Sequence, residues 1–161
     1  FFNIHSNNTD SVVTYDRSYR YDSSQLTLAS YQKGARHFNA LFSMVAFNET
    51  AFLIAECEEL SATIDSQTVT NRIFYVELDA NATVDHCYSL LDCDIEAPSK
   101  RLIWERQNEK KQLDGIAWGP NQTIAIVYEN DDKIGTHIEL FALDENEIRN
   151  SPVWTNNNSK E

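Results

Sequence analysis

Ile116-Ala117-Trp118-Gly119-Pro120-Asn121-Gln122-Thr123-Ile124-Ala125-Ile126-Val127-Tyr128-Glu129 reads as two short apolar runs joined by a tight reversal, and this pattern decides the fold class. Gly, Pro and Asn supply the backbone conformations a turn needs, while β-branched and aromatic residues on either side suit strands. The chain repeats the pattern upstream. Val45-Ala46-Phe47, the Asn48-Glu49-Thr50 turn, the run Ala51-Phe52-Leu53-Ile54-Ala55 and Glu56 follow the same order. The likeness then continues: Asn71-Arg72-Ile73-Phe74-Tyr75-Val76-Glu77-Leu78-Asp79-Ala80-Asn81 parallels Thr136-His137-Ile138-Glu139-Leu140-Phe141-Ala142-Leu143-Asp144-Glu145-Asn146, with Ile, Leu, Asp and Asn in register.

Working outward, short apolar or alternating runs predict strands over residues 26–31, 41–47, 51–56, 72–78, 84–90, 101–106, 115–118, 123–129 and 137–143. Ser151-Pro152-Val153-Trp154-Thr155 reads as the start of a further strand, since Pro is tolerated at a strand's first residue. The class is all-β. The repeat has a period of about 65 to 71 residues and about four strands per unit, which is how a β-propeller is assembled blade by blade. Residues 1–161 then form one β-rich segment with internal units over about 41–100 and 113–161. That is about two and a half four-stranded blades, incomplete as a closed propeller. The segment is therefore expected to need further β-units, from the same polypeptide or another subunit, to cover its sheet edges and faces. A β-sandwich is the alternative.

Composition bounds the setting. With 161 residues, 42% of them hydrophobic and 24% charged, the chain has the material for a packed core. A net charge of −12 opposes nucleic-acid backbones and anionic membrane surfaces, so nucleic acid is excluded as a partner. No apolar run reaches the roughly 18 residues of a membrane span, so no transmembrane segment is expected. The Phe1-Phe2 start lacks a basic n-region, and any signal peptide is expected to have been removed or to lie outside this segment. Five Asn-x-Ser/Thr acceptors, at Asn7, Asn48, Asn81, Asn121 and Asn157, predict N-linked glycans and hence a secreted protein or one on the extracellular cell surface. Asn48, Asn81 and Asn121 fall between apolar runs, where a glycan can face water. Cys87 and Cys93 enclose five residues and are the favoured disulfide, which leaves Cys57 a buried thiol or the partner of a cysteine elsewhere.

Residues 38–144 resemble the phytase-like ("esterase-like activity of phytase") domain family, a secreted propeller-like module. Leu113-Asp114-Gly115-Ile116-Ala117-Trp118-Gly119-Pro120, with residues 123–129 and Asn130-Asp131-Asp132, is similar to that family's Glu-Gly-Ile-Ala strand, apolar strand and Asp-Asn-Asp loop. Arg101-Leu102-Ile103-Trp104-Glu105-Arg106 is similar to its strand ending in Glu-Arg, and residues 41–56 with 70–79 resemble its preceding blade. The resemblance implies a propeller and a phosphoester or ester hydrolase. Asp114 departs from the family's Glu, and Ser43 before Met44 offers no carboxylate in the first unit.

Two acidic stretches occupy equivalent places in the units: Glu56, Glu58 and Glu59, and Glu129, Asp131 and Asp132. Read as loops free of Lys and Arg, they form a ligand set that suits calcium, a hard cation taking six to eight oxygens. The plainer reading is solvated acidic loops. Glu105, Arg106 and Asp114 are the catalytic candidates, a base and an anion-binding fork for a phosphoester. No Gly-x-Ser-x-Gly elbow, His-Glu-x-x-His pair or glycine-rich phosphate loop occurs. The leading function is an extracellular, N-glycosylated propeller-type module in adhesion, matrix or surface assembly, with a calcium-dependent phosphoester hydrolase as the alternative. Treating native glycoprotein with an amide-cleaving glycosidase should lower its mass and convert Asn48, Asn81 and Asn121 to Asp in peptide spectra. Finding all three unmodified would remove the argument for secretion.

Overall fold

The computed structural model describes residues 2–7, 10–15, 18–23, 36–61, 67–89, 93–109, 112–128, 136–151 and 153–154. They are mostly β. The chain divides into two compact units: Phe1–Asp22 with Leu78–Pro98, and Ser23–Glu77 with Ser99–Glu161.

In the first unit, β1 (Phe2–Asn7) and β2 (Asp10–Tyr15) form an antiparallel hairpin that the sequence reading did not anticipate. Residues 78–98 join that unit through backbone links. Val84 N donates to Ser18 O at 3.0 Å, and Ser18 N donates to Asp85 Oδ1 at 2.8 Å. The strand predicted over 84–90 is absent from its described part. Cys87 N donates to Val84 O at 3.0 Å, which turns the chain, and the predicted Cys87–Cys93 disulfide closes the loop.

The second unit holds two antiparallel sheets. The larger has the order β10-β6-β5-β4-β3, built from β3 (Arg36–Ala46), β4 (Ala51–Ser61), β5 (Gln67–Glu77), β6 (Lys100–Glu109) and β10 (Val153–Trp154). The smaller has the order β7-β8-β9, from β7 (Leu113–Trp118), β8 (Thr123–Tyr128) and β9 (His137–Ala142). Neither sheet closes on itself. β3 to β5 run longer than the apolar runs that announced them, and the predicted strand over 26–31 lies outside the described residues. Val153–Trp154 is a strand, but it adds to β6 of the same sheet instead of opening a neighbouring unit. The helix α1 (Glu145–Asn150) was missed, although Asp144-Glu145-Asn146-Glu147 carries a start signal: the Asp144 carboxylate accepts from Asn146 N and acids fill the first turn.

The repeat is visible strand by strand. β3-β4-β5 and β7-β8-β9 are both three-stranded meanders, and their details correspond at offsets of 72, 72 and 65 residues. The register slips between Leu41 and Ser43 in one and between Leu113 and Gly115 in the other. Phe47 N donates to Ala51 O, and Gly119 N to Thr123 O, each at 2.8 Å. Glu56 stands opposite Arg72 as Tyr128 stands opposite His137. Beyond the third strand, Asp79 and Asp144 each accept from the backbone N–H two residues on, that of Asn81 and Asn146.

Side chains alternate across a strand, so each sheet has two faces. Leu53, Ala55 and Ile73 of the larger sheet bury against Leu113, Ile116, Ile124, Ile126 and Tyr128 of the smaller, with Val45, Tyr75, Trp104 and Phe141 around them. The sheets meet chiefly through β3 and β7. Ser43 Oγ accepts from Ile116 N at 3.2 Å, Asn71 Oδ1 from Leu113 N at 3.0 Å, and Trp118 Nε1 donates to Ala46 O at 2.8 Å. By the offsets above, Leu53, Ala55, Ile73 and Tyr75 correspond to Ala125, Val127, Ile138 and Leu140. Those four lie on the face of the smaller sheet that points away from the seam, opposite to Ile124 and Ile126. The two meanders therefore stack front to back and not front to front. Leu53→Ala should cost about 2–5 kcal/mol in urea unfolding, whereas Ile138→Ala on the outer face should cost no more than about 0.5 kcal/mol; equal losses would refute the face assignment.

Candidate functional site

The acidic stretch at residues 56–59 is strand, not loop, because β4 runs on to Ser61. Alternation sends Glu56 and Glu58 to the face of the larger sheet opposite the seam, and Glu59 to the other side. Glu56 is fully buried. Its Oε1 accepts from Lys100 Nζ at 2.6 Å and its Oε2 from Asn39 Nδ2 at 3.2 Å. Glu58 Oε2 accepts from an Arg72 terminal nitrogen at 2.7 Å, and Arg72 Nε donates to Glu105 Oε2, also at 2.7 Å. Three strands thus carry an ionic ladder of two rungs, Glu56–Lys100 and Glu58–Arg72–Glu105, with Asn39 of β3 bound to the first and Glu105 the exposed end of the second. Burial works to lower the Arg72 pKa, and the bonds from Glu58 and Glu105 more than offset it, holding the guanidinium charged. Trp154 caps the ladder: the Arg72 guanidinium lies 5.6 Å from its ring centre, and Phe74 packs edge-on at 5.5 Å.

This arrangement departs from the calcium reading, which needed carboxylates free of Lys and Arg. Lys100 and Arg72 already engage Glu56 and Glu58, and Glu59 points to the other face, so the described half of the ligand set does not fit a calcium ion. No group of three or more His, Cys, Asp or Glu arranged to hold a metal occurs among the described residues. Glu129, Asp131 and Asp132 lie outside them.

The catalytic candidates are not brought together. Glu105 and Arg106, adjacent on β6, point to opposite faces. Glu105 binds Arg72, while Arg106 reaches across the seam to form an ion pair with Glu139. Glu139 also contacts His137 Nε2 at 3.0 Å. Partial burial raises the Glu139 pKa, but the bonds from Arg106 and His137 outweigh it and hold the value below the usual carboxylate range. Its contribution to stability is thus complete above the unfolded-state pKa and is lost as pH falls through the depressed folded value. Tyr128 beside it is pushed up by burial and by the Glu139 charge, while Arg106 pulls it down. Asp114 is exposed in the β7 irregularity.

Two clefts open on the larger sheet. One of about 290 Å³ lies against the ladder, lined by Glu58, Thr70, Arg72, Glu105 and Gln107. The other, about 510 Å³, is lined by Phe47, Tyr75, Arg101, Arg149, Glu77 and Glu145, with Asn48 at its margin. Asn48, Asn81 and Asn121 are all exposed, and Asn48 Oδ1 accepts from Thr50 N and Ala51 N, each at 2.8 Å. Asn121 adopts a positive φ of 55° in the hairpin turn. The Asn7 side chain and Asn157 lie outside the described residues. Cys57 is a buried free thiol, its pKa pushed up to about 11 by burial, which holds it as the unreactive protonated form. No helix among the described residues is long and apolar enough to cross a membrane.

Comparison with known proteins finds no matching family, no matching curated protein and no matching solved structure.

The ladder is the feature that sequence reasoning missed, because its partners come from separate strands. Lys100→Met strands the Glu56 carboxylate in the interior and should destabilise the protein by about 3–5 kcal/mol in chemical denaturation. Adding Glu56→Leu should recover most of that loss. A double variant as unstable as the single one would show that Glu56 is not the partner that matters.

Proposed function

We propose that the chain is part of a propeller-type extracellular glycoprotein module with an adhesion, matrix or surface-assembly role. The observation that carries this reading is the front-to-back stacking of two register-matched meanders. Successive propeller blades are related in that way, each presenting one face to the next blade and the opposite face to the previous one. A two-fold sandwich would pack equivalent faces together. The resemblance of residues 38–144 to the phytase-like family agrees with this architecture. The exposed sequons in turns agree with an extracellular setting, and a short-loop disulfide is compatible with one.

No observation favours the hydrolase alternative. Glu105 and Arg106 face opposite ways, each with a partner of opposite charge, and Glu56 and Glu58 on β4 are paired with Lys100 and Arg72. A module of this kind acts through surfaces, for which sheets with the exposed acceptors Asn48, Asn81 and Asn121 in turns are a suitable frame. Surfaces coated with the secreted glycoprotein should support cell attachment above an albumin control, unchanged by a calcium chelator. The same preparation should release no phosphate from phytate or aryl phosphates. Chelator-sensitive phosphate release without attachment would overturn the proposal.

A further inference from the structure

The outer face of the smaller sheet is an apolar surface left exposed among the described residues. Ala117 on β7, Ala125 and Val127 on β8, and Ile138 and Leu140 on β9 share it; Ile138 is 58% exposed and Leu140 59%. None of the five is charged. Gly119 continues the face and makes room for it: a Cβ there would come within 3.2 Å of Leu140 Cδ2 and 2.5 Å of Thr123 Oγ1.

The repeat says what kind of surface covers such a face. Its equivalents on the larger sheet, Val45, Leu53, Ala55, Ile73 and Tyr75, are covered by the back of the next meander, to which Leu113 and Ile116 of β7 belong, β7 being a strand that meets β3 and β4. The residues equivalent to Leu113 and Ile116 are Leu41 and Met44 on β3. They lie on the back of the larger sheet, and both are exposed, at 48% and 51%. The chain thus displays an unfilled front on β7-β8-β9 and, on the back, an exposed strip confined to β3, since Ile54 and Glu56, the equivalents of Ile126 and Tyr128, are already buried. They lie at opposite ends of the stack and cannot meet within one copy.

We propose that a second copy of this chain docks the β3 edge of its larger sheet, through Leu41 and Met44, onto the apolar outer face of β7, β8 and β9. The inference rests on the propeller-type reading and names the partner that continues the stack. The contact is head to tail and heterologous, so association builds a ring or a row and not a symmetric two-copy pair. Asn48 and Asn121 sit in turns beyond the strand ends, so glycans carried there would project past the strands and not from the two faces. Because each copy carries −12, the five front residues carry no charge, and Glu56 and Glu58 beside Leu41 and Met44 on the back are already paired with Lys100 and Arg72, raising the salt concentration should strengthen the association by screening the repulsion between copies.

Sedimentation of the secreted 161-residue chain over a concentration series tests this directly. The wild type should shift from the 18.5 kDa polypeptide, plus glycan, to multiples of it, more so at high salt. Ala117→Lys kills the front and Met44→Lys the back, and each should weaken self-association by roughly 30-fold or more, the loss a central interface residue carries. Mixing the two variants should restore a complex of two chains and no larger, since one intact front meets one intact back. The mixture also shows that both variants fold. A wild type that stays monomeric, loss with Ala117→Lys alone, or a mixture that stays monomeric overturns the docking. Cell attachment, measured on the same preparations, separates that failure from failure of the extracellular-module reading, because a monomer that still supports attachment refutes only the second copy.

Discussion

The seam between the two sheets of the second unit is the constraint on which the rest depends. Leu53, Ala55 and Ile73 reach Ile116, Ile124 and Ile126 only if β4, β5, β7 and β8 all keep one register, because a slip of one residue turns every side chain to the opposite face. Burying a side chain of this size contributes about 1.5–3 kcal/mol, so a slip in one strand forfeits several such contributions at once. The irregularities at Leu41/Ser43 and Leu113/Gly115 belong to this constraint. A bulge increases local twist and re-aims the residues beyond it, and both meanders place theirs where β3 and β7 approach each other.

The strands that build the seam were legible in the sequence, because 51–56 and 123–129 are apolar and β-branched and each follows a turn that demands Asn, Pro or Gly. Their facing was not. Aligning Ala51-Phe52-Leu53-Ile54-Ala55 with Ile124-Ala125-Ile126-Val127-Tyr128 gives an offset of 73, whereas the hydrogen-bonded turns and opposed pairs give 72. That single residue is the difference between like faces meeting and opposite faces meeting. A strand buried on both sides carries no alternation to read: every residue of 53–58 is buried. The β3 to β5 meander also continues past its apolar runs into Glu-, Thr- and Gln-rich text, whose strand character comes from pairing and not from composition.

The candidate site failed to be legible for a related reason. Carboxylates at 56, 58 and 59 announce solvent when read alone, and the cations that pair with the first two are distant in sequence: Lys100 lies 44 residues from Glu56, and Arg72 lies 14 from Glu58. Glu105 and Arg106 look like one functional pair as neighbours in the text, yet period-two alternation separates neighbours on a strand. The Cys87–Cys93 bridge was legible because a short loop leaves few conformations in which the two thiols are apart. The six-residue α1 carried its cap in plain view, but it is too short for periodicity to reveal.

The two faces of the larger sheet therefore enforce the same register by opposite means. On the seam side, apolar residues gain by meeting apolar residues, and a modest misalignment of β4 against β5 would still leave something apolar to touch. On the back, Glu56 and Glu58 are charged, buried and answered by Lys100 and Arg72. Sliding β4 by one residue would carry both carboxylates into the seam among Ile73 and Ile126, away from either cation. An unpaired buried charge is penalised far more heavily than a missing methylene contact. The ladder need not add net stability over an apolar pair to have this effect, since its consequence lies in how costly the wrong register becomes. Because the front-to-back stacking exists in only one register of β4, the charged face that looked in sequence like a ligand site instead protects the apolar face on which the stacking is built.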